Sequence, residues 1–231
     1  MSAKIIVSYD GTANEDDAIA LGRLLARAGA EVSLAYVRHT HEPDRDRETL
    51  AQHEAQELLE RGAALFGGPL GEHVVTDRST PEGLRALAET RGADVIVFCS
   101  DSHTAKGHIS IGNSAERLLE GGRAAIAIAP VGLADAGANA SVKRIVAVGD
   151  GGGGAQATAD ALAKALGASV APVANDDADL LVIDSRPEAE AGQISISASA
   201  AHLIEIATCS VLVVPRGVTL PFGQAVAAIS A

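Results

Sequence analysis

Apolar and polar positions along the chain form two alternating patterns. Short runs of β-branched residues, typical of buried strands, begin at Lys4 and recur at 31–37, 72–76, 93–98 and 124–129. Between them, Ala and Leu recur every three or four positions, which predicts helices around 18–25, within 46–66, at 81–91 and at about 113–121. Strands that alternate with helices predict an α/β fold, in which right-handed crossovers build a parallel sheet covered on both faces.

The chain repeats part of itself. The segment Lys4–Gly11 (KIIVSYDG) recurs 140 positions later as Arg144–Gly151 (RIVAVGDG). Residues 107–118 match residues 192–203 at an offset of 85, and seven of these twelve pairs are identical. Because the offsets differ by 55, the second copy lacks 55 residues of the first. The pattern predicts tandem copies of one fold: a domain at 1–131, a linker at 132–141 and a reduced second domain at 142–231.

The shortened copy raises a geometric difficulty. In the first copy 56 residues separate Val37 from Asp94, whereas five separate Val173 from Asp179. Five extended residues reach only about 17 Å, and a parallel crossover normally needs a dozen or more residues. The run 169–173 is therefore expected to be a short or antiparallel edge piece, or no strand at all.

The last strand of each copy is a continuous apolar run that would be exposed at the edge of a sheet. These runs are 124–129 and 210–214. An exposed apolar edge invites pairing with another strand. We expect the two runs to pair with each other, forming a pseudo-dimer within the chain, or with those of a second molecule in a homo-oligomer.

The composition and net charge limit the classes of partner that the protein is expected to bind. Hydrophobic residues make up 47% of the chain but aromatic residues only 2%, with no Trp, so stacking on bases is not expected to dominate. The net charge of -12 repels phosphate backbones and anionic lipids, which argues against nucleic-acid and membrane partners. A small ligand or a protein partner remains. With neither a signal pattern at its start nor an apolar run of about 20 residues, the protein is expected to be cytoplasmic.

Several segments are similar to the universal stress protein family. They are the strand that ends in Asp10, the sequence Gly112-Asn113-Ser114 before the last helix of the first copy, and the closing strands that end in Pro130 and Pro215. The resemblance covers nearly the whole chain as two copies. It implies an adenine-nucleotide alpha hydrolase-like (Rossmann-like) fold, with the two tandem copies forming a pseudo-dimer.

The resemblance also implies a phosphate-binding loop. In the nucleotide-binding branch of the family, the loop after the fourth strand reads glycine, two residues, glycine, nine residues, then glycine and Ser or Thr. The matching positions here are Cys99, Ser102, Gly112 and Asn113, followed by Ser114. Two glycines are replaced, yet the spacing and Gly112 are kept, and glycines let backbone N–H groups approach phosphates closely. Lys106 is a further candidate donor.

On the base side, the resemblance places Asp10 against the adenine or ribose of ATP or AMP, with Ser8 beside it and Val37 packed on the base. Each residue has a simpler alternative: Asp10 as a turn or N-cap residue, and Val37 as ordinary core. In the second copy, the loop positions are Asp184, Pro187, Ser197 and Ala198, which oppose phosphate binding.

Three further features of the sequence bear on its chemistry. Residues 149–154 (GDGGGG) satisfy the G-x-G-x-x-G pattern of dinucleotide binding, with Asp176 and Asp177 downstream. The repeat instead makes this segment the counterpart of the turn at Asp10. His39 and His41 lie in a polar stretch and predict no metal site. The chain has no G-x-S-x-G nucleophile elbow, so no enzymatic activity is predicted.

Two functional hypotheses follow. In the first, the protein senses a small molecule: the first copy binds ATP, AMP or a related phosphate compound, and the second is structural. In the second, it is an interaction scaffold that binds no nucleotide. The retained Asp10 and Gly112 favour the first hypothesis, and the missing glycines favour the second.

Overall fold

The computed structural model describes residues 2–68, 70–149, 153–172 and 177–223. Strands and helices alternate through it, as the hydrophobic pattern predicts. The strands are β1 (Lys4–Ser8), β2 (Glu31–Arg38), β3 (Gly71–Thr76), β4 (Val95–Cys99), β5 (Ala125–Ala129), β6 (Arg144–Val148), β7 (Ser169–Ala171), β8 (Leu180–Asp184) and β9 (Ser210–Val214). The helices are α1 (Glu15–Arg27), α2 (Arg45–Phe66), α3 (Thr80–Arg91), α4 (Asn113–Leu119), α5 (Gly154–Leu166) and α6 (Ala198–Ile206).

All the described strands form one sheet in the order β3-β2-β1-β4-β5-β9-β8-β6-β7. Neighbouring strands are parallel except β5 and β9, which pair antiparallel with Ala127 opposite Leu212. The predicted pairing of the last two strands is therefore confirmed, and it occurs within one chain. We call residues 2–130 the N-terminal half and residues 142–223 the C-terminal half.

The core lies in two layers, one on each face of the sheet. On one face, α1, α2 and α5 contribute side chains such as Leu21, Leu59 and Leu162. On the other, α3, α4 and α6 contribute Leu84, Leu118 and Ile204. Both layers consist mainly of Ala, Val, Ile and Leu, as expected from the scarcity of aromatic residues. Every residue of β5 and β9 is buried, which agrees with their place in the middle of the sheet.

The structure shows which part of residues 169–173 forms a strand. β7 is a short parallel edge strand of three residues, whose Val170 lies opposite Ile145 of β6. The C-terminal half passes from β7 to β8 without counterparts of α2, β3 and α3. Residues 173–176 of this connection lie outside the described residues.

The segment between the halves packs on α1, although its sequence has no periodicity. Two short 3-10 turns, separated at Gly137, span Leu133–Asn139. The carboxylate of Asp17, which is 4% exposed, accepts hydrogen bonds from the N–H groups of Gly132 (2.9 Å) and Ala134 (2.7 Å). Arg23 donates to the carbonyl of Gly137 at 3.3 Å, which adds a contact along the same helix.

We expect Asp17→Asn to destabilise the protein by about 1–3 kcal/mol, because an amide has one acceptor oxygen for two buried N–H donors. Urea unfolding at neutral pH measures the change. Asp16→Asn is the matched control, since Asp16 is the exposed neighbour on the same helical turn, and a surface change of this kind costs within about 0.5 kcal/mol. Equal effects of the two substitutions would contradict the role given to Asp17.

Candidate functional site

The strand order reverses at β1, which has β2 on one side and β4 on the other. In open parallel sheets, ligands usually bind in the crevice at the carboxyl ends of such strands. A cleft with a cavity of about 290 Å³ lies there, between the ends of β1 and β4 and the loop that leads into α4. Its lining residues are Ser8, Asp10, Thr12, Ala13, Glu15, Thr80, Phe98, Cys99, Ser100, Asp101, Ser102, Gly112, Asn113, Ser114 and Ala115.

The structure brings seven of the eight predicted site residues together in this lining. They are Ser8, Asp10, Cys99, Ser102, Gly112, Asn113 and Ser114. Val37 is not among the lining residues. It is only 5% exposed and packs in the core beneath α3, where a Cβ atom at Gly83 would lie 2.9 Å from its Cγ1. Its position agrees with the core-packing alternative.

The turn between β1 and α1 shapes one wall of the cleft. Gly11 and Asn14 both adopt positive φ angles, of 77° and 72°, and Asn14 is the one described non-glycine residue that does so. The side-chain amide of Asn14 donates to the carbonyl of Asp101 at 3.1 Å, which ties the turn to the opposite wall. Asp10 is exposed, and its carboxylate accepts the N–H of Thr12 at 2.9 Å.

Glu15 is a lining residue that the sequence pattern does not indicate. Its side chain folds back from the first turn of α1, and its carboxyl accepts hydrogen bonds from the N–H groups of Asp10 and, at 2.6 Å, Gly11. The residue is only 5% exposed. Burial, followed by the side-chain hydrogen bond and the negative charge of Asp10, raises the pKa of Glu15 to about 9. At neutral pH Glu15 is therefore an uncharged carboxylic acid beside Asp10.

The loop from β4 to α4 is held by a buried hydroxyl. Ser100 donates to the carbonyl of Ala129 at 2.7 Å and accepts the N–H of Ser110 at 3.3 Å. The C-terminal half repeats the arrangement 85 positions later, where Ser185 donates to Val214 at 2.8 Å and accepts from Ser195 at 3.3 Å. The two halves therefore build this loop in the same way, and differences between the loops come from other side chains.

A model of the universal stress protein family matches residues 1–130. The chain belongs to the universal stress protein family. A universal stress protein from Archaeoglobus fulgidus DSM 4304 has a similar structure, with a TM-score of 0.70 and 15% identity, covering 94% of this chain and 100% of that chain. A functionally unknown protein from Pseudomonas aeruginosa PAO1 has a TM-score of 0.59 and 15% identity, covering 94% and 93%. These likenesses concern the fold. No curated protein matches the chain.

In this universal stress protein, the two equivalent loops differ at the residue that ends the strand. In the N-terminal half it is Cys99, and burial, helped by the negative charge of Asp10, raises the pKa of its thiol to about 12. In the C-terminal half it is Asp184, whose carboxylate accepts the N–H of Ala155 at the start of α5, at 2.7 Å. A Cβ atom at Gly149 would collide with this carboxylate. The carboxylate of Asp184 thus lies between the end of β8 and the start of α5.

The helices after the two loops also begin differently. α6 follows Ser197, whose hydroxyl accepts the N–H of Ala200 at 3.2 Å. α4 follows Gly112, which makes no side-chain cap, and a Cβ atom at Gly112 would meet nothing within 4 Å. The first N–H groups of α4 are therefore left without the side-chain acceptor that α6 has.

Two other sequence interpretations can be compared with the structure. Lys106, a candidate phosphate donor, does not line the cleft; its ammonium lies 2.5 Å from the carboxylate of Asp135. Of the dinucleotide motif at Gly149–Gly154, residues 150–152 lie outside the described residues, as does Asp176, while Asp177 lies 3.6 Å from the guanidinium of Arg144.

Within the described ranges, no group of three or more His, Cys, Asp and Glu side chains is arranged to hold a metal ion. The helices of the same ranges are too short or too polar to cross a membrane. Cys99 and Cys209 are both unpaired, half-buried thiols.

Proposed function

We propose that this universal stress protein is a small-molecule binder whose N-terminal half holds an adenine nucleotide of the AMP type in the cleft at the ends of β1 and β4. The observation that carries the proposal is the cleft itself, which lies where the strand order reverses and is lined by seven of the eight residues expected to contact a nucleotide.

The chemistry of the lining fits such a ligand. Asp10 is an exposed carboxylate that can accept hydrogen bonds from ribose hydroxyls. The hydroxyl of Ser114 and the amide of Asn113 supply neutral donors where the loop enters α4, and the hydroxyl of Ser102 adds one near the start of the loop. The uncapped N–H groups behind Gly112 add donors of the kind that favour an anion.

We further propose that residues 1–131 and 142–231 are two copies of one domain, joined by 132–141, and that the second copy is structural. The repeated loop at Ser100 and Ser185 supports the duplication. The carboxylate of Asp184 and the cap at Ser197 support the loss of a ligand site in the second copy.

The state of Cys99 favours binding over catalysis. A cysteine nucleophile acts as a thiolate, whereas burial and the negative charge of Asp10 keep Cys99 a neutral thiol by raising its pKa to about 12. Cys99 is thus not an activated nucleophile.

Calorimetry with AMP tests the site. We expect one weak site per chain and at least a tenfold loss of affinity in Gly112→Asp, because the new carboxylate would cap α4 and repel the phosphate. The matched control is Ser197→Asp, which adds the same charge at the equivalent N-cap of the C-terminal half and should leave AMP binding unchanged. An Asp at an N-cap stabilises a helix, so lost binding would not reflect unfolding. Equal losses in both variants would refute the assignment.

The interaction scaffold is the second candidate. It is favoured by the charges of the lining, which are acidic at Asp10 and Asp101. An absence of heat with millimolar AMP, under conditions where the protein is folded, would support the scaffold.

A further inference from the structure

The charged side chains of the cleft all have the same sign. Asp10, Glu15 and Asp101 line it, and none of the lining residues, all of which lie in the described part of the chain, is a lysine or an arginine. Glu15 is neutral near pH 7, so the fixed charges are those of Asp10 and Asp101. The single lysine of the loop between Cys99 and Ser114 is Lys106, and its charge is balanced by Asp135 at 2.5 Å.

The C-terminal half shows that this loop can carry the opposite charge. Arg186 stands 85 positions after Asp101. The two residues hold equivalent backbone places, because the N–H of Asp101 donates to Ser110 (3.4 Å) and the N–H of Arg186 donates to Ser195 (2.8 Å). The same backbone thus carries a carboxylate in the half that has the cleft and a guanidinium in the C-terminal half, where Asp184 stands in place of Cys99.

We infer that the cleft selects adenine ligands with a single phosphate and discriminates by charge against di- and triphosphates. The inference rests on the proposed function, and it concerns which ligand of that class the site accepts. Like charges in a partly sheltered cleft repel one another more strongly than in bulk water, because the effective dielectric constant is lower. One phosphate can be met by neutral hydroxyl and N–H donors. Every further phosphate adds negative charge to a cleft that already holds Asp10 and Asp101, and no lysine or arginine among the lining residues balances it.

The test compares AMP with ATP by calorimetry, with EDTA present so that no divalent cation screens the triphosphate. At about 20 mM salt, where the Debye length is roughly 20 Å, we expect ATP to bind at least tenfold more weakly than AMP. At about 300 mM salt the difference in affinity between AMP and ATP should become smaller, because screening weakens the repulsion between the phosphates and the carboxylates. A site that attracts phosphates through cations would show the opposite order, with ATP binding more tightly at low salt.

Variants that remove or reverse a charge test whether Asp101 causes the weaker binding of ATP. Asp101→Asn should reduce the difference in affinity between AMP and ATP. Asp101→Arg, which introduces the residue found at this place in the C-terminal half, should reduce that difference further or reverse it. Glu188→Gln is the control: Glu188 is exposed in the C-terminal half, so its loss changes the net charge as Asp101→Asn does, away from the cleft. An equal shift in the control would overturn the inference.

The outcomes separate the inference from the proposed function. If wild-type protein binds ATP as tightly as AMP or more tightly at low salt, the charge selection is wrong and nucleotide binding stands. If neither AMP nor ATP binds at millimolar concentration, the proposed function fails and the inference fails with it.

Discussion

The C-terminal half expressed alone, as residues 141–231, is expected to be largely unfolded. In the intact protein, β9 is buried along its whole length because β5 covers one of its edges. The N–H of Ile194 also donates to the carbonyl of Gly122 at 2.8 Å, and the N–H of Gly223 donates to that of Ala28 at 2.9 Å. The fragment loses all of these contacts. Among its described residues, α5 and α6 are the helices that remain to cover its sheet, and small domains have little surplus stability.

Circular dichroism and urea unfolding measure whether the isolated fragment 141–231 is folded. The fragment should lack a cooperative transition, whereas the complementary fragment 1–140, with five strands and four helices, should unfold cooperatively. That fragment exposes the wholly apolar β5, so it should also self-associate. Cooperative unfolding of 141–231 as a monomer would show that the C-terminal half does not depend on its neighbour.

Glu15→Gln is expected to make the protein more stable at pH 8 and to flatten the dependence of its stability on pH. The amide is isosteric with the neutral carboxyl: its oxygen can accept from the N–H groups of Asp10 and Gly11, and its NH₂ can donate to Asp10. In the wild type, the pKa of Glu15 is about 9 in the folded protein and about 4.5 in the unfolded chain. The folded state therefore binds more protons between these values.

This difference in bound protons fixes the direction in which the stability changes with pH. The contribution of Glu15 to stability is fully present below pH 4.5 and is lost as the pH rises toward 9. Between pH 5 and pH 8 the loss amounts to a few kcal/mol at most, on the order of 1.4 kcal/mol per pH unit. The free energy of unfolding in urea at pH 5, 6.5 and 8 measures it.

Glu60→Gln is the control for that series. Glu60 is exposed on α2, so its amide variant should follow the wild-type pH dependence. If Glu15→Gln destabilises the protein equally at every pH, Glu15 is ionised in the folded state and its place in the cleft needs another explanation.

Much of the fold follows from local pattern and repetition. Continuous β-branched runs are compatible with the interior of a parallel sheet, and the repeat offsets identify which elements the C-terminal half lacks. The pairing of β5 with β9 was predictable because two wholly apolar strands must each find a neighbour. For β7 the sequence left alternatives open, because the run between Val170 and Leu180 has no periodic signal; of these, the short edge strand is the one that forms.

The resemblance to the family, and not the strand pattern, indicated Ser8, Asp10 and Cys99 as site residues. They lie at the carboxyl ends of β1 and β4, and parallel strands bring such ends together. Glu15 was not predictable, because acidic residues in a first helical turn are ordinarily exposed, whereas this one folds back to accept from the N–H groups of the preceding turn. Val37, by contrast, was predicted as a site residue but does not line the cleft. As an apolar residue near a strand end, it packs on the helix that covers it, which is α3.

The antiparallel junction of β5 and β9 has a consequence for how the protein responds to its own abundance. Two separate chains that met through such strands would associate only above their dissociation constant. Here the strands belong to one chain, in halves that the short segment 131–141 joins, and such a tether gives the halves an effective concentration of about a millimolar. The turns at Leu133–Asn139, packed on α1, shorten that tether further. The cell can therefore raise or lower the amount of this protein over a wide range while the state of that interface stays the same.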